Sequence, residues 1–257
     1  MIVPPPGPVA AGADVRRSTP ARRNLLLRIG SAIVLAPVVL GAAYLGGWIF
    51  VLLCGLAGGG ILWEWMRLVY RQEGPMRPAS QSPSVLAGWT IAGLIYAGVA
   101  FLAPVLLRND PDYGRTALLF VIAAVWLTDI CAYAAGRSLG GPLLWPQVSP
   151  GKTWSGAMGG LAGGVAGGVV VAYAVGLDRL PVLAAIALVL SGCCQAGDLV
   201  ESAVKRHFGV KDASGLIPGH GGLMDRLDGL LLAALAAVLI GAFHAGTAAP
   251  GRGLLIW

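Results

Sequence analysis

The chain has 257 residues, 56% of them hydrophobic and only 12% charged, with a formal net charge of +6 and a mean hydropathy of +0.76. Soluble domains carry roughly 25% charged residues, so a water-soluble fold is excluded, and disorder is excluded because disordered chains are polar. What remains is an integral membrane protein, whose thirty-nine glycines show no collagen period and suit close packing of membrane helices.

Residues 1–24 form a Pro/Ala/Arg tail without apolar periodicity, expected to be disordered and cytoplasmic, ahead of a membrane-embedded domain over 25–257. Seven apolar segments follow, at about 29–45, 48–66, 85–107, 117–135, 156–177, 180–197 and 229–249. A spanning helix needs about 17–25 residues. The expected fold is therefore all-α, a polytopic membrane bundle of about seven, within seven to nine, transmembrane helices. Small residues at Gly41-Ala42-Ala43 would permit signal cleavage, but the next apolar run starts almost at once, so the first segment reads as a retained helix. Glu64, between Trp63 and Trp65, reads as an interfacial anchor near a helix end. The cysteines Cys54, Cys131, Cys193 and Cys194 lie in apolar stretches without C-x-x-C spacing and read as buried thiols.

With the N-terminus inside, fourteen of the eighteen basic residues fall on cytoplasmic segments, leaving Arg108, Arg115, Arg179 and Arg252 outside. The charge then faces anionic headgroups. Nucleic acid is not an expected partner, because no basic patch is interleaved with exposed aromatics.

Two cytoplasmic stretches are dense in polar residues. In the first, 126–156, Asp129 lies well inside the fourth apolar segment, where ionisable groups are costly and mark functional interiors. Tyr133, Gly136 and Arg137 share its helical face; the bland alternative is a structural Asp129–Arg137 pair. Ser149-Pro150-Gly151-Lys152-Thr153 gathers donors at the start of the fifth helix, which suits an anion, though without Walker spacing. In the second, 195–229, Asp198, Glu201, Ser202, Lys205 and Arg206 form one polar stripe on a helix continuing the sixth span. Glu201–Lys205 alone could be an ordinary i,i+4 pair. Pro218-Gly219-His220-Gly221-Gly222 allows a close backbone approach. Asp225 and Asp228 then open the seventh helix on one side, flanking Arg226.

Mg²⁺ is commonly held by one or two carboxylates plus substrate phosphates, and Lys and Arg neutralise phosphate charge. Phosphoryl or nucleotidyl transfer needs mainly this positioning. A transporter would also bury Asp and Arg, but near midplane between repeats; here the charge lies toward one face.

The run SAVKRHFGVKDASGLIPGHGGLMDRLD, residues 202–228, resembles the signature of the phosphatidate cytidylyltransferases (CDP-diacylglycerol synthases) at Ser202, Lys205, Arg206, Lys211, Asp212, His220, Gly221, Gly222, Asp225, Arg226 and Asp228. Q-x-G-D at 195–198, D-x-x-A-Y-x-x-G-R from Asp129 to Arg137 and S-P-G-K-T-W at 149–154 also resemble family features. Ser155 departs from the family, which commonly has Glu there. The resemblance implies transfer of a cytidylyl group from CTP to phosphatidate, giving CDP-diacylglycerol and pyrophosphate for phospholipid synthesis. It implies an inner-membrane enzyme with its active site facing the cytoplasm, often a homodimer.

It further implies Mg²⁺, with a monovalent cation in some members, and metal ligation by Asp198 and Asp225; spacing alone does not choose that pair over Asp225 and Asp228. The expected catalytic group is Asp198, Lys205, Arg206, Lys211, Asp212, His220, Asp225, Arg226 and Asp228. Substrate contacts are expected at Asp129, Arg137, Ser149, Lys152, Thr153, Ser202, Gly221 and Gly222. His220 reads equally as a phosphate donor or a support of the turn, and His207 and His244 as structural. The runners-up are a CTP-dependent lipid kinase and an ion-coupled transporter of an anionic metabolite. A CDP-alcohol phosphotransferase is disfavoured, because its D-G-x-x-A-R pattern is absent.

Overall fold

In lipid, backbone N–H and C=O groups have no partner but one another, so long apolar runs become helices. The computed structural model describes residues 33–71, 82–217 and 221–257. Within them lie a short helix α1 (Ile33–Leu45) and six long ones: α2 (Gly47–Val69), α3 (Pro83–Arg108), α4 (Gly114–Leu139), α5 (Trp154–Ala174), α6 (Leu180–His207) and α7 (Met224–Ala245). Those six are long and apolar enough to cross a membrane, and the chain is a helical membrane protein. The tail 1–24, the first residues of the expected first span, Arg77 and His220 lie outside the described residues.

Two small elements were not expected. Strands β1 (Leu143–Trp145) and β2 (Ser149–Thr153) pair antiparallel, with Leu143 opposite Thr153 and Trp145 opposite Ser149. The residues read as the start of the fifth helix are thus a strand. Thr153 ends it and caps α5, its Oγ1 accepting from Gly156 N at 3.1 Å, as a hydroxyl at a helix N-terminus does. The last helix, α8 (Pro250–Leu255), begins with the proline that suits a first turn.

Helix α5 lies against α4 along a glycine ridge. A Cβ at Gly167 would stand 2.6 Å from Ala123 O, and one at Gly156 2.9 Å from Ala132 O. Only residues without a side chain let the backbones approach so closely. Helix α6 joins the pair through polar ties: Thr128 and Ser191 share a buried hydroxyl–hydroxyl bond of 2.6 Å, and Gln195 Nε2 donates to Ala157 O at 3.1 Å. The apolar core beside this unit includes Leu107, Phe120, Leu183 and Leu190, with Ala233 and Ala237 of α7.

Hydrogen bonds between elements define two ends of the bundle. At one, Arg108 Nε donates to Ala43 O at 2.6 Å, and Asp110 accepts from Tyr113 N at 2.9 Å and Arg252 N at 2.8 Å. At the other, the C-termini of α2, α4 and α6 meet the hairpin and the N-termini of α5 and α7. Arg67, Arg71, Arg137, Lys152, Lys205, Arg206, Lys211 and Arg226 sit at this second end; Arg108, Arg115, Arg179 and Arg252 sit at the first.

Candidate active site at the basic end of the bundle

Helix α6 continues beyond its apolar stretch, and the 3.6-residue period keeps Asp198, Glu201, Ser202 and Lys205 on one face. That face meets the first turns of α7 and the β-hairpin. Lys152 Nζ, from β2, lies 2.5 Å from Asp198 Oδ2, and Ser202 Oγ donates to Asp198 Oδ1 at 3.4 Å. Lys205 Nζ lies 2.5 Å from both Glu201 Oε2 and Asp225 Oδ1. The i,i+4 pair read from the sequence is therefore one arm of a three-residue contact. Asp225 Oδ2 accepts from Gly222 N at 2.8 Å and Ala213 N at 3.2 Å, so both its oxygens are engaged.

Lys152, Asp198, Lys205 and Asp225 border a cavity of about 680 Å³. Helix α4 contributes Asp129, Tyr133 and Arg137; β2 contributes Lys152 and Thr153; α6 contributes Gln195, Asp198 and Lys205. Asp212 enters from the following loop, and Asp225, Arg226 and Asp228 from α7. Ten of the expected catalytic and substrate-contact residues, all of these but Tyr133 and Gln195, thus meet at one place. Asp129 and Arg137 do so without forming the structural pair: Arg137 donates to Tyr133 Oη at 2.9 Å, and Asp129 Oδ1 lies 3.8 Å from the Cys194 thiol.

Other expected residues stand outside the lining. Arg206 is exposed and reaches backbone, from Nε to Val148 O at 3.3 Å and from one terminal nitrogen to Val210 O at 3.2 Å. Ser149 pairs within the hairpin, Lys211 is exposed beyond the cavity, and Ser202, Gly221 and Gly222 support Asp198 or Asp225 from behind. His220 is not among the described residues. Ser155, the departure from the family pattern, bonds Gly140 O and lies 3.0 Å from Thr153 Oγ1, tying the end of α4 to the start of α5.

Sequence reasoning missed one carboxylate. Glu64 is wholly buried, not an interfacial anchor, and accepts from Leu223 N, Met224 N and Ser214 Oγ. A lone Glu between two tryptophans has no period to reveal it, and two of its donors are backbone amides.

The lining holds five carboxylates against four cations, and Glu201 lies just behind. Such a site repels polyanions unless a cation intervenes. Asp198, Glu201 and Asp228 each bring an oxygen within 4.8 Å of the others. Glu201 is 1% exposed, and its Oε1 has no hydrogen-bond partner among the described residues. A buried carboxylate oxygen is costly unless paired or bound to a metal, and hard oxygen donors suit a divalent cation such as Mg²⁺. The donor set fits such an ion.

Comparison with known proteins converges on one family. The cytidylyltransferase family pattern matches residues 76–244, which include the whole cavity lining. A phosphatidate cytidylyltransferase of Brucella suis is 40% identical over 88% of this chain and 97% of its own length. That of Brucella abortus is 41% identical over 86% and 95%. A Bacillus subtilis protein of the same name is 42% identical over 56% of this chain and 54% of its own, so likeness to it is confined to part of each chain.

Proposed function

The chain belongs to the cytidylyltransferase family, and from that premise we propose that its cavity joins CTP to phosphatidate, releasing pyrophosphate and leaving CDP-diacylglycerol in the membrane. The observation that carries this reading is the convergence of Lys152, Asp198, Asp225, Arg226 and Asp228, from three separate elements, on one cavity at the bundle's basic end.

A phosphate monoester has a second pKa of about 6, so phosphatidate is largely dianionic at neutral pH and needs no general base. Its phosphate oxygen forms the new bond to the α-phosphorus of CTP as the bond to the β-phosphate breaks. The chain's task is to hold two polyanions in line and to neutralise charge. Arg137, Lys152 and Arg226 are placed to meet phosphates. Lys205, held between two carboxylates, instead fixes Asp225.

When bound, a divalent cation supplies charge neutralisation at the phosphates. We assign it to Asp198 and Asp225, the pair the resemblance implies. A second reading, favoured by the converging oxygens, gives it to Asp198, Glu201 and Asp228. We further propose, from the basic bias of this end, that the cavity faces the cytoplasm and the N-terminus lies on that side in the inner membrane. We also propose that the enzyme works as a homodimer.

The deciding assay supplies labelled CTP and phosphatidate to the purified protein in detergent. CDP-diacylglycerol and pyrophosphate are expected; CDP with a phosphorylated alcohol would mark a lipid kinase instead. With that assay in hand, Asp198→Asn and Asp225→Asn should each lose about 10²-fold or more in rate, as loss of a preorganised charge-stabilising group does. Under the paired assignment the double variant should be scarcely worse than either single, since one ion cannot be lost twice. Under the second reading, Asp228→Asn rather than Asp225→Asn shifts the Mg²⁺ dependence.

A further inference from the structure

Glu64 is fully buried yet stands outside the cavity lining. A helix begins with amides that lack intrahelical acceptors, and the N-cap residue of α7, Leu223, offers no side-chain oxygen. Glu64, from α2, takes that role: Oε1 accepts from Leu223 N at 2.9 Å and Oε2 from Met224 N at 2.7 Å. Its negative charge also opposes the positive end of the helix dipole. Ser214 Oγ adds a third donor from the preceding loop.

The donors to Glu64 interleave with those to Asp225. Ala213 and Gly222 give their amides to Asp225, while their neighbours Ser214, Leu223 and Met224 bond Glu64. Gly222 passes between the two carboxylates, and a Cβ there would stand 2.8 Å from Glu64 Oε1 and 3.0 Å from Asp225 Oδ2. Both ends of the loop are thus clamped between a carboxylate in the cavity and one behind it.

We propose that Glu64 is a positioning residue for cytidylyl transfer: by capping α7 from another helix it fixes the amides that hold Asp225 in the cavity. This rests on the reading of the cavity as the active site. A cap that merely stabilised the fold would lower stability without regard to Asp225. A positioning cap acts through it.

The test is a double-mutant cycle between Glu64→Gln and Asp225→Asn in the detergent assay, with kcat, KM for CTP, thermal midpoint and amide hydrogen exchange measured. Glu64→Gln keeps the shape and one acceptor oxygen but turns an amide toward amide donors. Its kcat should fall about 10-fold to 10²-fold, the range that a small misplacement of a catalytic group produces. Exchange at 213 and 222–224 should quicken while α4 and α5 stay protected. In the Asp225→Asn background the same change should cost no more than about twofold further, the signature of coupled sites. Multiplying losses, or an unchanged kcat in Glu64→Gln, would overturn the proposal. Should Glu64→Gln not fold, Glu64→Asp, which keeps the charge but draws the carboxylate back from Leu223 N and Met224 N, carries the same cycle. A wild-type rate in Asp225→Asn would overturn the inference, because the residue through which Glu64 acts would be dispensable, and wild-type rates in both Asp198→Asn and Asp225→Asn would overturn the reading of the cavity itself. An impaired Asp225→Asn beside an unimpaired Glu64→Gln overturns the inference alone.

Discussion

Lys205 and Arg206 are adjacent in the chain and opposite in situation. The Lys205 side chain is 12% exposed and bridges Glu201 and Asp225; Arg206 is exposed, and its hydrogen bonds among the described residues go to the Val148 and Val210 carbonyls. Removing one partner of a buried ion pair costs about 3–5 kcal/mol because a charge is left stranded. Removing an exposed donor costs about 1 kcal/mol or less, the ordinary net worth of a hydrogen bond. Thermal melts in detergent should therefore show a fall of several degrees for Lys205→Ala and little change for Arg206→Ala. Equal midpoints would contradict the buried triad. The sequence puts both in one polar stripe and the resemblance puts both in the expected catalytic group, since spacing tells which residues share a stripe but not which member of the stripe faces water. Glu64 was illegible for a related reason: its worth lies in amides some 160 positions away in the chain, and amides leave no trace in side-chain identity.

Helix α5 shows how an element is specified by what it omits. Glycine inside an exposed helix normally costs about 1 kcal/mol relative to alanine, so Gly→Ala is usually stabilising. At Gly167 the sign should reverse, because the new Cβ would meet Ala123 O at 2.6 Å. Gly192 on α6 has no neighbour within 4 Å and serves as the control. Gly167→Ala should melt below the parent protein and Gly192→Ala at or above it; a parallel rise in both would show that α4 and α5 are not held backbone to backbone. The long helices were readable because apolar runs of spanning length have few other outcomes in lipid. The hairpin was not, because strands of three and five residues around Pro146 and Pro150 are too short for a period to register. Nor was α8, a single short helix whose Leu254 and Leu255 are buried only by tertiary packing.

At the scale of the molecule, the substrates impose the geometry. Phosphatidate is confined to the leaflet and CTP to water, so a site serving both must open where helices leave the hydrocarbon. The cavity meets this condition: its lining gathers the C-terminal halves of α4 and α6, the first turns of α7, the hairpin and the loop at Asp212, at the end of the bundle opposite Arg108 and Asp110. Basic residues near span ends are retained on the cytoplasmic side, and the cavity end holds the larger share of them. The expected sidedness follows from chemistry and charge independently. It is tested by single cysteines in a background lacking the native four: Pro150→Cys and Gly215→Cys at the cavity end, Asp178→Cys at the other, all at exposed or open positions. An impermeant thiol reagent applied to intact cells should label only Asp178→Cys, and the two others only after the membrane is opened. The reverse pattern would place the cavity on the face that CTP does not reach, and would remove the proposed reaction along with the orientation.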